Sequence, residues 1–136
     1  MMSSARKTLV ATCLVALCGA LLPSTVLADT IEIDVAPNVL NIQSESVVVT
    51  VHTDIAYFLV EGSSVFLNGV EISHWKADAR GNFVAKFSSD EVKSLDGLVI
   101  DDYNTLVLIG YTKAGDVFMG SQEILVIDVV AQGNKD

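Results

Sequence analysis

From Asp29 onward the chain is a succession of short runs rich in Val, Ile, Thr and aromatic residues, punctuated by Gly, Asn, Asp and Ser. It carries no long amphipathic helical pattern, no low-complexity tract and no internal repeat, which restricts it to a single all-β domain. Candidate strands are Thr30 to Val35, Val39 to Ile42, Ser46 to Thr53, Ser64 to Asn68, Val70 to Lys76, Asn82 to Phe87, Asn104 to Thr112, and Val117 to Val129. Seven or eight short strands in roughly 100 residues suit a sandwich of two antiparallel sheets.

The punctuation supports these strands. Asn68-Gly69 allows the positive backbone dihedrals of a tight hairpin, and Arg80-Gly81-Asn82 and Ala114-Gly115-Asp116 offer similar chemistry. Pro37 has no N–H to give to a ladder, so it marks a break where the first strand changes sheets. One helical signal interrupts the pattern. Ser88 followed three residues later by Glu91 forms a capping box over Ser88 to Leu95, read as a single turn crossing between sheets.

Alternation assigns faces. Phe83, Ala85 and Phe87 are expected to line the core, with Val84, Lys86 and Ser88 on the opposite side. In Leu106 to Tyr111 and Ile124 to Ile127 both faces are apolar, which suits either central strands or a sheet that presents an apolar face to a partner. Tyr103 stands where sandwich domains place a tyrosine whose hydroxyl bonds to upstream backbone.

Residues 1–28 read as a secretory signal peptide, with Arg6 and Lys7 ahead of a 14-residue apolar run from Leu9 to Leu22, then Pro23 and a small-residue exit. A membrane-spanning helix needs roughly 20 residues, so a cleaved leader is favoured over an anchor. Cleavage is expected after Ala28, with Val26 and Ala28 in the two small pockets of the peptidase. Both cysteines, Cys13 and Cys18, lie inside the leader. Thr12 and Leu17 precede them where lipoprotein signals carry Gly, Ala or Ser, so neither is read as a lipid attachment site. The remaining 108 residues, 29–136, then hold no thiol, which excludes thiol catalysis, thiolate–zinc sites and disulfide staples. The domain must stand on its hydrophobic core. Residues 131–136 read as a polar, frayed tail.

Removing Arg6 and Lys7 leaves six basic side chains against 17 acidic ones, a net charge of −11. A surface of that sign repels nucleic acid and anionic lipid, since both are bound by Lys and Arg neutralising phosphates.

The opening Ile31-Glu-Ile-Asp-Val-Ala-Pro37-Asn38, then Leu40-Asn41-Ile42 and the run Val47 to Val51, resembles the Ile-Asp-Ile-Lys-Pro-Gly opening of small immunoglobulin-like modules in bacterial secreted proteins. The closing Leu108 to Ser121, with Gly115 in a turn ahead of Phe118 and a Gly120-Ser121 step, is similar to their last hairpin. The resemblance implies an immunoglobulin-like or fibronectin III-like β-sandwich and an accessory or binding unit. It brings no active site.

The residues offer little for catalysis. The only histidines are His52 and His74, and no serine sits in a Gly-x-Ser-x-Gly elbow. Zinc would require both imidazoles plus a carboxylate, with their strands neighbouring and their faces matched. Calcium takes oxygen ligands, and Asp96, Asp101 and Asp102 in one loop are the candidates, with Asp78 and Asn82 flanking another turn. Solvated turn residues account for the same pattern. Glycan binding would draw on aromatic platforms among Trp75, Tyr57, Phe58 and Tyr111, although a single Trp in a sandwich is commonly core. Glycoside hydrolysis needs two carboxyl groups across a cleft, and no long loops are available to build one.

The sequence thus describes a secreted or periplasmic, non-enzymatic binding module without a cofactor. Its partner is expected to be a protein or a second copy, met through a sheet face or strand edge carrying Val107, Ile109, Leu125 and Ile127, with Trp75 as a further contact. The alternative is a calcium-stabilised or carbohydrate-binding accessory domain.

Overall fold

Side-chain alternation decides which side of each strand meets the core, and the computed structural model, which describes residues 28–130, follows it closely. The expected leader, apart from Ala28, and the expected tail of residues 131–136 lie outside the described residues. Phe83, Ala85 and Phe87 enter a single core with Leu106, Leu108, Phe118, Ile124 and Val126, as their parity requires.

Ten strands build two sheets among the described residues: β1 (Asp29–Thr30), β2 (Ile33–Ala36), β3 (Val39–Asn41), β4 (Val48–Ala56), β5 (Phe66–Leu67), β6 (Val70–Glu71), β7 (His74–Ala77), β8 (Asn82–Ser88), β9 (Asp102–Tyr111) and β10 (Val117–Ile127). One helical turn, α1 (Ser89–Lys93), follows β8. The six-stranded sheet runs β1-β10-β9-β5-β6, with β3 also on β10, and the four-stranded sheet runs β2-β4-β8-β7. In the immunoglobulin scheme the four-stranded sheet is A-B-E-D and the six-stranded sheet is G-F-C with an added C′ strand. The protein is an immunoglobulin-like β-sandwich.

The opening of the chain visits both sheets. β1 pairs in parallel with β10 at Phe118 and Met119, β2 crosses to pair with β4, and β3 returns to lie parallel to β10 at Leu125 to Ile127. The return follows the Ala36–Pro37 bond, where proline was expected to mark a change of sheet. The crossing is tight because Gly120 of β10 carries no side chain. A β-carbon there would press on Ile33 and on the Ile31 carbonyl.

Four expectations are corrected. Thr30 to Val35 spans two strands, β1 and β2, in different sheets. Val70 to Lys76 is two strands, β6 and β7, lying in different sheets, and Ile72 between them is buried. No turn residue announces this passage, because the chain bends around the edge of the core without needing a special backbone dihedral. Ser88 does sit at the start of α1, but its side chain makes no capping bond. Tyr103 is exposed, and its N–H binds the Asp102 Oδ1 at 2.7 Å. The loop before β9 is held by the next residue instead. Asn104 Oδ1 accepts from Val99 N–H at 2.8 Å while its Nδ2 donates to Val99 O at 2.9 Å and Asp102 O at 3.0 Å. A planar amide presents an acceptor and a donor side by side, and here they meet the N–H and C=O of one residue.

Candidate functional site

Opposite residues of paired strands share a face, so register alone locates the outward side chains of the six-stranded sheet. Phe66 of β5, Ile109 of β9 and Met119 of β10 are successive cross-strand partners and form a row perpendicular to the strands. Each is more than a third exposed, at 37%, 38% and 38%. The row ends on Glu71 of β6 and Thr30 of β1. Tyr111 and Val117, opposite one another, extend it along the strands on one side, and half-buried Val107 extends it on the other.

The four positions read from the sequence do lie on this face, but they divide between two patches. Val107 and Ile109 belong to the row just described. Leu125 and Ile127, both half-buried, belong to a second group with Tyr103 and Val39, since Leu125 pairs with both. Thr105, Ser121 and Glu123 separate the two as a polar belt. Six strand positions part Met119 from Leu125, about 20 Å at roughly 3.3 Å each. Phe66 and Met119 were not anticipated. The signal was parity: Val65 and Leu67 are fully buried, so the intervening Phe66 must point outward.

Trp75 is not on this face. It lies on β7 of the other sheet, half-buried against the core, with its indole laid over Gly62 so closely that a β-carbon at Gly62 would collide with the ring. One ring face is therefore occupied by backbone. Of the remaining aromatics, Tyr57 stacks on Phe83 at a centroid separation of 6.2 Å. Phe58 projects from the Tyr57–Leu59 turn and is 70% exposed, beside an open groove of about 640 Å³ that also borders Ile31, Ile55 and Ala114.

The titratable groups are dispersed. Among the described residues no three His, Asp or Glu side chains converge on a common point, and Asp96, Asp101 and Asp102 do not form such a group. Asp102 accepts the Tyr103 N–H, and the Asp101 N–H donates to Val126 O. His52 and His74 lie on β4 and β7 with β8 between them, so their strands are not the neighbours that a shared zinc ion would need. Asp78 closes the β7–β8 turn, its Oδ1 accepting Arg80 N–H at 2.8 Å and Asn82 N–H at 2.9 Å. The Asn82 N–H chiefly holds the Asp78 carboxyl below its ordinary range; burial opposes it, and the Arg80 N–H and the charges of Arg80 and His52 add smaller effects in the lowering direction. The Asp78–Asn82 pair is thus a hydrogen-bonded turn.

No protein-family model matches the chain, and no curated protein does. Among solved structures it is similar to a bacterial immunoglobulin-like domain from the M. primoryensis ice-binding adhesin, with 21% identity over 74% of this chain and 98% of that one and a TM-score of 0.38.

Proposed function

We propose that this protein is an exported, non-catalytic interaction module that meets a protein partner on the outer face of its six-stranded sheet. The observation that carries the reading is the Phe66–Ile109–Met119 row, three large apolar side chains side by side on three hydrogen-bonded strands. Such a row is rigid, because the backbone beneath it is fixed by the ladder, so docking orders few side chains. The polar belt and Glu71 at its margins supply the rim that surrounds an apolar interface centre. Export rests on the leader of residues 1–28. Among the described residues, no helix is long and apolar enough to cross a membrane.

The test is affinity capture from the native envelope and medium with the wild-type protein and with Ile109→Lys/Met119→Lys. Both positions already face solvent, so the double variant should melt within a few degrees of wild type while losing the captured partner. A second variant, Leu125→Lys/Ile127→Lys, should retain it. Unchanged capture by the first variant would remove the row as the docking surface.

A further inference from the structure

The four-stranded sheet gathers most of the described cations of an acidic molecule. The described residues hold five side-chain cations, Lys76, Arg80, Lys86, Lys93 and Lys113. Three of them, Lys76, Arg80 and Lys86, lie on β7, β8 and the turn between these strands, and both histidines lie on the same sheet. Register sets Ala36, Thr50, Lys86 and His74 in one transverse row of the outer face, and Asp34, His52, Val84 and Lys76 in the next, with the one carboxylate of these rows at the β2 end, away from β7. Val84 is fully buried there although it is not among the core residues. Its cross-strand neighbours His52 and Lys76 cover it, as the apolar stems of long cationic side chains do.

This cationic group borders the open edge of the sheet. At the other edge, β2 is stitched to β10: Val35 N–H binds Gln122 Oε1 at 2.7 Å, and just before the strand Ile31 N–H binds Met119 O at 2.8 Å. In the six-stranded sheet the β6 edge is only two residues long. β7 has four residues and pairs on one side only, with β8. The Asp78 N–H to Asn82 O bond at 2.9 Å fixes the phase of that ladder. Antiparallel bonding alternates, so Lys76 and His74 turn their peptide groups toward β8, and Trp75 and Ala77 turn theirs away from it.

We propose that β7 is a docking edge for an acidic, extended peptide segment of a partner protein, which joins the four-stranded sheet as a fifth strand. The outward N–H and C=O groups of Trp75 and Ala77 supply the main-chain bonds, the usual source of affinity in strand addition. Alternation then places every second side chain of the incoming strand on the outer face, where carboxylates meet His74, Lys76 and, one strand further in, Lys86. The intervening side chains fall beside Trp75 and suit small apolar residues. Since the molecule as a whole is acidic, the attraction is confined to contact range, within a Debye length of about 8 Å at physiological salt. This edge and the apolar row lie on different sheets, so each can be disabled alone.

Trp75 is the single tryptophan of the chain and reports on the edge directly. The probe is an octapeptide of alternating Glu and Val, titrated against the purified protein while its tryptophan emission is followed. Saturable binding is expected, weakened at least tenfold by Lys76→Glu/Lys86→Glu and at least tenfold by N-methylation of alternate peptide amides. Ala77→Pro removes an outward N–H without touching the ladder to β8 and should weaken binding similarly if charge reversal disturbs folding. Equal binding of the N-methylated peptide or of a heparin tetrasaccharide would overturn strand addition in favour of a simple anion patch. Indifference to both the charge-reversal and proline variants would overturn the site altogether.

Discussion

Asp78, Asn104 and Gly62 show how single residues position this sandwich. Asp78 accepts two backbone N–H groups as a carboxylate, and its pKa is depressed in the folded protein. A depressed acid stabilises the fold above its unfolded pKa, and that contribution is lost as pH falls through the lower, folded value. Asp78→Ala should therefore melt below wild type at pH 7, and the two melting curves should converge as the pH falls below the ordinary carboxylate range. A difference unchanged in acid would assign the effect to the turn's shape and not to its charge. The turn glycines and Pro37 were legible because each solves a local dihedral problem: Asn68 and Gly69, for example, both adopt positive φ, at 47° and 86°. Asn104 and Gly62 were not. Their partners, the Val99 peptide and the Trp75 indole, are set by tertiary approach, and nothing in the neighbouring sequence records it.

Among the elements, strands with clean alternation were read with the correct inward face, and β8 is the clearest case, with Phe83, Ala85 and Phe87 all fully buried. Reading Val70 to Lys76 as one strand failed because periodicity is the same whether a strand stays in its sheet or leaves it. The candidate surface was half legible for a related reason. Parity along β9 and β10 put Val107, Ile109, Leu125 and Ile127 on one face, but only register shows that Phe66 and Met119 complete one patch and that a polar belt isolates the other. The two edges of the four-stranded sheet differ because the β2 side is bonded to β10, through the Ile31 N–H and the Gln122 side chain. Gln122 spans from β10 to the Val35 N–H and so closes the β2 edge. Gln122→Ala should cost about 1–3 kcal/mol, the price of leaving a partly buried donor without its acceptor, read from chemical denaturation. It should also raise the tendency to associate at high concentration, because an unguarded strand edge is a template for pairing. A variant as stable as wild type would show that solvent satisfies the Val35 N–H.

Taken whole, the molecule separates its surface chemistry by sheet. The six-stranded sheet offers an apolar outer row, and the four-stranded sheet gathers most of the described cations of an acidic chain. The fold class was legible because it depends on many short strands and their punctuation, a signal spread over the entire chain. The division of charge was not, since Lys76 and Lys86 come together only when β7 and β8 pair. The sandwich also has a keystone: β10 takes β1 and β3 along one side and β9 along the other. Truncation before Val117 should abolish the cooperative melting transition entirely. A shortened chain that still melted cooperatively would show that the four-stranded sheet folds without it.

That keystone is also the last of the described strands in chain order. The first strands of the chain must wait for a partner almost the full length of the domain away, and contacts of such sequence separation form slowly. Until the β9–β10 hairpin is complete the six-stranded sheet cannot close, and a chain still open and threadable is what the export proposed above would require.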